Sequence, residues 1–164
     1  MKTLLILRHA KSTAKDSDID DHERPLNKRG KREANRMGRL LRDEHLLPDL
    51  IVSSSAKRCR KTADRFLESS GYRGETRISS DLYEANADRI RQFLIQIPSG
   101  IDRLLVIGHN PGLEELLESL TGTYTPLSTA AVAHIELSLE TWQEFNPETR
   151  GALQRIWQPR ELED

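Results

Sequence analysis

Leu4-Leu5-Ile6-Leu7-Arg8-His9-Ala10-Lys11-Ser12 is an unbroken apolar run that ends on a guanidinium and an imidazole. Four consecutive aliphatic residues with no polar alternation read as a strand covered on both faces, the habit of central parallel strands. The run is too short for the apolar core of a signal peptide and far too short to span a bilayer. The same grammar returns twice. Ile51-Val52-Ser53-Ser54-Ser55-Ala56-Lys57-Arg58-Cys59 and Leu104-Leu105-Val106-Ile107-Gly108-His109-Asn110-Pro111-Gly112 each carry an Arg or His shortly past a buried run.

Strands are therefore expected over Leu4–Leu7, Leu50–Ser53 and Arg103–Ile107. Ala133–Leu139 adds a strand nearer an edge, with Ala133, Ile135, Leu137 and Leu139 on one face, and Ala152–Trp157 adds a weaker one. Helical stripes fill the gaps: Ala34, Met37, Leu40 and Leu41; Cys59, Ala63, Phe66 and Leu67; Ile90, Phe93, Leu94 and Ile97; Leu113, Leu116, Leu117 and Leu120. Strand-then-helix alternation predicts an α/β fold, a three-layer α/β/α sandwich with a mostly parallel central sheet, as one domain over residues 1–164. Asp16–Glu23, polar and without periodicity, is expected to be the mobile stretch.

Composition narrows the partners. With 25 basic and 26 acidic residues the formal charge is −1, which gives no global pull toward nucleic acid or anionic lipid. The basic residues from Lys28 to Arg42 spread over the exposed side of an amphipathic helix without an aromatic stacking platform, so they read as a solvated face. One cysteine precludes an internal disulfide and suits a reducing compartment, so a cytoplasmic location is expected. Cys59 falls in register with Ala63 and Phe66, as a buried helix-face residue would. His22, His45 and His134 lack the spacing of zinc ligands.

Ligands of open α/β sheets bind outside the carboxyl ends of the strands. If the three central strands are neighbours, Arg8, His9, Arg58 and His109 converge there. Two guanidiniums offer forked, permanently charged donors that match phosphate oxygens. Asn110 reads as an N-cap and Pro111 as a first helical residue, so a helix N-terminus would add N–H donors beside His109. This combination suits a dianion.

Arg8-His9-Ala10, the Arg58 segment and Gly108-His109 resemble the motifs of the histidine phosphatase superfamily. Arg8-His9-Ala10-Lys11-Ser12 followed by Arg24-Pro25-Leu26-Asn27-Lys28-Arg29-Gly30, and then Leu82-Tyr83-Glu84-Ala85, is similar to the short SixA-type phosphohistidine phosphatases; the likeness spans roughly residues 3–139. The resemblance implies a phosphoglycerate mutase-like fold and a phosphatase with His9 as nucleophile, Arg8, Arg58 and His109 binding the transferred phosphoryl group, and no metal or cofactor. Glu84 is then the candidate general acid; its alternative is a solvated carboxylate at a helix start. Arg24, Lys11 and Ser12 are candidates for substrate contact. Ala10 stands where many mutase-like relatives carry glycine.

Only 24 residues (positions 85–108) separate Glu84 from His109, too few to hold a long cap over a small sugar phosphate. The expected partner is therefore a histidine-phosphorylated protein, such as a histidine-containing phosphotransfer domain. The alternatives are a phosphomonoesterase acting on small phosphorylated metabolites, or a binding module for phosphate or phosphoproteins without turnover.

Overall fold

The computed structural model describes residues 1–16 and 18–162. Six strands, β1 (Lys2–Arg8), β2 (Leu50–Ser54), β3 (Glu75–Ser79), β4 (Arg103–Gly108), β5 (Val132–Leu137) and β6 (Gly151–Trp157), form one sheet in the order β3-β2-β4-β1-β5-β6. β3, β2, β4 and β1 are parallel, and β5 runs antiparallel to both β1 and β6. The helices are α1 (Lys28–Asp43), α2 (Lys57–Ser70), α3 (Ala87–Leu94) and α4 (Gly112–Thr121).

Alternation along each strand sorts the core into two layers. Leu5, Leu7, Ile51, Leu105 and Ile107 pack with Met37 and Leu41 of α1 and with Cys59 and Phe66 of α2. Leu4, Ile6, Leu50, Val52, Leu104 and Val106 face Ile90 and Leu94 of α3 and the leucines of α4. The continuous apolar runs exist because these strands are covered on both sides. Each fully buried leucine or isoleucine contributes roughly 1.5–3 kcal/mol relative to exposure. Among the described residues no helix is long and apolar enough to cross a membrane.

Two expectations need correction. β3 was not foreseen: it is an edge strand whose residues are exposed or half-buried, so Glu75-Thr76-Arg77-Ile78-Ser79 carries no apolar signal. α4 starts one residue later than read, with Pro111 in the N-cap position and the Asn110 side chain turned away to donate to the Leu127 carbonyl at 2.9 Å. Within the polar stretch Asp16–Glu23, of which Ser17 lies outside the described residues, a short 3-10 turn, Asp21–Glu23, is fastened to α2.

The neighbours β1 and β4 are what matter for a site. The helix after β1 lies on one face of the sheet and the helix after β4 on the other. The chain thus parts at their carboxyl ends and leaves a crevice between the two loops, the place where open α/β sheets bind ligands.

Candidate active site

His9 lies one residue past β1, buried to 8% exposure. Its backbone is held from two sides: its N–H donates to the Gly108 carbonyl at 3.1 Å, and the Ala130 N–H donates to the carbonyls of Arg8 and His9. The ring nitrogen Nδ1 lies 2.8 Å from the Ala10 carbonyl. A carbonyl only accepts, so the proton is assigned to Nδ1 and the lone pair to Nε2. Burial, with His109, Arg58 and Arg8 adding to it, pulls the His9 pKa down to about 3, so the ring is neutral at ordinary pH.

His109, one residue past β4, faces His9 with ring centroids 5.3 Å apart. Its Nδ1 accepts from Arg58 Nη2 at 3.3 Å, which leaves Nε2–H to donate to Ser54 Oγ at 2.8 Å. Burial and the Arg58 charge draw its pKa down to about 4. Arg58 enters from the first turn of α2 and is 4% exposed. Arg8 reaches across to the Leu127 carbonyl through Nη1 at 3.0 Å. The Nε–H groups of Arg8 and Arg58 are both buried with no partner among the described residues. Buried donors left unmatched are costly, and an arginine pair that keeps two of them is suited to an anion.

The surrounding segments explain themselves through this geometry. Arg24–Gly30 lies against the loop after His9: Thr13 N donates to Pro25 O, Asn27 N to Lys11 O, and Ser12 bridges Leu26. Gly30 is required because a Cβ there would stand 2.1 Å from the Lys11 carbonyl. Gly112 plays the same part for Leu82–Ala85, since a Cβ there would meet the Ala85 carbonyl at 1.9 Å. Thr62 on α2 accepts from Ala10 N at 3.0 Å and donates to the Arg58 carbonyl at 2.7 Å, tying the His9 loop to the Arg58 helix.

The structure thus brings Arg8, His9, Arg58 and His109 together. The other candidates are placed differently. Arg24 is half-buried and binds Asp21, Ser12 Oγ and the Thr13 carbonyl. Ser12 is buried as the partner of Arg24, and the Lys11 side chain is exposed. Glu84 is exposed, makes no hydrogen bond or ion pair among the described residues, and has φ of 52°, a backbone region unusual for a non-glycine residue. Cys59 is fully buried, 3.5 Å from His109 Nε2, and burial pushes its thiol up to about 12.

Two residues of the site escaped the sequence reading. Asp21 binds Arg58, Arg24 and Tyr83 at once. The Tyr83 ring lies edge-on between His22 and His109, at centroid distances of 4.9 and 5.5 Å. Tyr83 sits inside a quoted motif and Asp21 three residues before Arg24, so both positions were in view. Only the folded loop shows what they touch. His22, which lacks the spacing of a zinc ligand, hydrogen-bonds Ser55 Oγ at 2.9 Å and packs on Tyr83.

Known proteins resemble this chain in sequence and fold. A family model for the histidine phosphatase superfamily (branch 1) matches residues 4–99, a span that holds Arg8, His9, Arg58 and Glu84 and ends before His109. An uncharacterized chloroplastic protein of Arabidopsis thaliana is 31% identical over 152 residues, covering 87% of this chain and 70% of its own. A SixA-type structure from Nakamurella multipartitia superposes with a TM-score of 0.82 at 25% identity over 96% of both chains. The protein histidine phosphatase SixA complexed with tungstate gives a TM-score of 0.84 at 19% identity over 98% of this chain and 99% of its own, a likeness of fold. The family model covers more than half of the chain, and the chain belongs to the histidine phosphatase superfamily.

Proposed function

We propose that this chain is a metal-independent phosphatase that takes a phosphoryl group onto His9 Nε2, and that its substrate is phosphohistidine in a protein. The observation that carries the reading is the neutral His9, with its lone pair assigned to Nε2, in one crevice with two arginines that keep buried, unpartnered Nε–H groups. Arg8 and Arg58 supply the cationic charge that the equatorial oxygens of a loose phosphoryl transition state demand. His109, hydrogen-bonded to Arg58 and facing His9, adds a third contact.

In the first step His9 Nε2 forms a bond to phosphorus as the substrate P–N bond breaks. A substrate imidazole protonated on its other nitrogen leaves neutral, so little is asked of a general acid. That fits an exposed Glu84 without a hydrogen-bonding partner. In the second step water attacks the phosphorylated His9, the P–N bond breaks and inorganic phosphate departs. The Ala10 carbonyl serves both steps: by holding the proton on Nδ1 it frees Nε2 to attack, then keeps the phosphorylated ring cationic and ready to leave.

The protein substrate is favoured by the short connection from Glu84 to His109, in which α3 and β4 use 14 of the 24 residues (8 and 6). A protein of similar fold, the protein histidine phosphatase SixA, has been solved complexed with tungstate, a tetrahedral oxyanion shaped like phosphate, which is in keeping with a phosphoryl substrate.

The test is phosphate release, with EDTA present, from a histidine-phosphorylated protein and from para-nitrophenyl phosphate, by wild type and His9→Ala. Faster cleavage of the phosphoprotein, and loss of both activities in His9→Ala, is expected. Turnover of the ester alone would move the substrate to small metabolites. No turnover of either would leave a binding module.

A further inference from the structure

We propose that Asp21 is a positioning residue that decides which edge of the Arg58 guanidinium faces the phosphoryl group; this rests on the phosphatase reading above. A guanidinium presents its N–H donors in one rigid plane, as an end-on edge through Nη1 and Nη2 and a side-on edge through Nε and Nη2. Asp21 takes the end-on edge twice over. Its backbone carbonyl accepts from Arg58 Nη1 at 2.7 Å and its Oδ2 accepts from Nη2 at 3.1 Å. What is left is the side-on edge, where Nη2 reaches His109 Nδ1 and Nε is buried and unmatched. That edge lies on the side of His109, whose ring faces the nucleophile.

Asp21 is itself held rigidly. Oδ2 also accepts from Tyr83 Oη at 2.6 Å, and Oδ1 accepts from Arg24 Nε and Nη2 at 3.1 and 2.9 Å. Arg24 is fixed in turn to Ser12 Oγ and the Thr13 carbonyl, in the loop after His9. One carboxylate therefore joins the loop after β1, the start of α2 and the Tyr83 segment. These donors, Tyr83 foremost, hold it far below the usual carboxylate range, so it stays ionised and is no proton donor. Its role is geometric.

The turn that carries Asp21 has other moorings. His22 Nε2 pairs with Ser55 Oγ at 2.9 Å, and Arg60 Nη2 lies 3.5 Å from Glu23 Oε2. Asp21→Asn, which preserves shape and removes charge, should leave the turn in place and act through Arg58.

A double-mutant cycle of Asp21→Asn and Arg58→Ala, read by steady-state hydrolysis of para-nitrophenyl phosphate and by calorimetric affinity for orthovanadate, tests this. Asp21→Asn is expected to lower kcat by about 10–100-fold, the scale of an ångström-level misplacement, with KM changed far less. The same substitution in Arg58→Ala should cost almost nothing further. Tyr83→Phe, which removes one support and keeps the carboxylate on Arg58, should give a smaller loss that also vanishes without Arg58.

An equal loss from Asp21→Asn in both backgrounds, or an unchanged kcat, overturns the proposal. If wild type hydrolyses neither the ester nor a histidine-phosphorylated protein, the phosphatase reading falls by itself. The cycle is then decided on orthovanadate: weaker binding in Asp21→Asn only when Arg58 is present supports the positioning role, and additive or absent effects overturn it.

Discussion

At the scale of single residues, the chemistry turns on one imidazole made neutral. An ordinary histidine with a pKa near 6.5 would be mostly protonated, and useless as a nucleophile, in mildly acidic solution. Burial and the surrounding cationic groups draw His9 down to about 3. The acid limb of kcat/KM for His9 should therefore lie below the working range. With para-nitrophenyl phosphate, and after correction for ionisation of the substrate, kcat/KM is expected to stay level from about pH 8 down to about pH 5. A tenfold fall per unit beginning near pH 6.5 would show that the crevice does not depress this histidine. Arg8, His9, Arg58 and His109 were legible in sequence because each follows a buried strand closely, so knowing the strand places the side chain. Asp21 was not: it sits in a polar loop without periodicity, and its meaning lies in three side chains that are 3, 37 and 62 positions away.

At the scale of elements, the segment beyond α4 helps to hold Arg8. The Leu127 carbonyl accepts from Arg8 Nη1 and Asn110 Nδ2, and its own N–H donates to Glu114 Oε2 at 2.7 Å. Gln158, just past β6 and 8% exposed, clamps the same loop: Oε1 accepts from Ser128 N and Oγ, and Nε2 donates to Pro126 O. Gln158→Ala would leave those groups without partners, at a cost of about 1–3 kcal/mol. It should also lower kcat several-fold through a looser Arg8. Urea unfolding and ester hydrolysis read the two effects, and a variant with wild-type stability would remove the clamp from the account. The sequence motifs ended near residue 139, and Ala152–Trp157 was only a weak strand. The reason is physical: residues 152–155 of β6 are exposed, so little apolar pattern is imposed on it. β3 was missed on the same ground, whereas the covered strands β1, β2 and β4 were read nearly to their ends.

At the scale of the whole molecule, the fold must keep two neutral histidines buried beside two guanidiniums, and that makes its stability depend on pH. His9 and His109 have folded pKa values of about 3 and about 4, both below the unfolded value near 6.5. Between these limits the unfolded chain binds more protons than the folded one, so stability is full above pH 6.5 and is lost as pH falls. Each histidine contributes a slope that approaches about 1.4 kcal/mol per pH unit once the unfolded imidazole is fully protonated. Asp21 adds to the decline only at lower pH, because its unfolded value is near 3.8 and its folded value lower still. The interval from pH 6.5 to about 5 therefore isolates the histidines. Urea unfolding at half-unit steps through that interval should show wild type losing stability steeply. His9→Ala, which removes one of the two protonation events, should show roughly half the slope. A wild-type profile flat across the interval would mean that the crevice admits charged imidazoles after all. The neutral nucleophile on which the proposed phosphoryl transfer depends would then lose its structural basis.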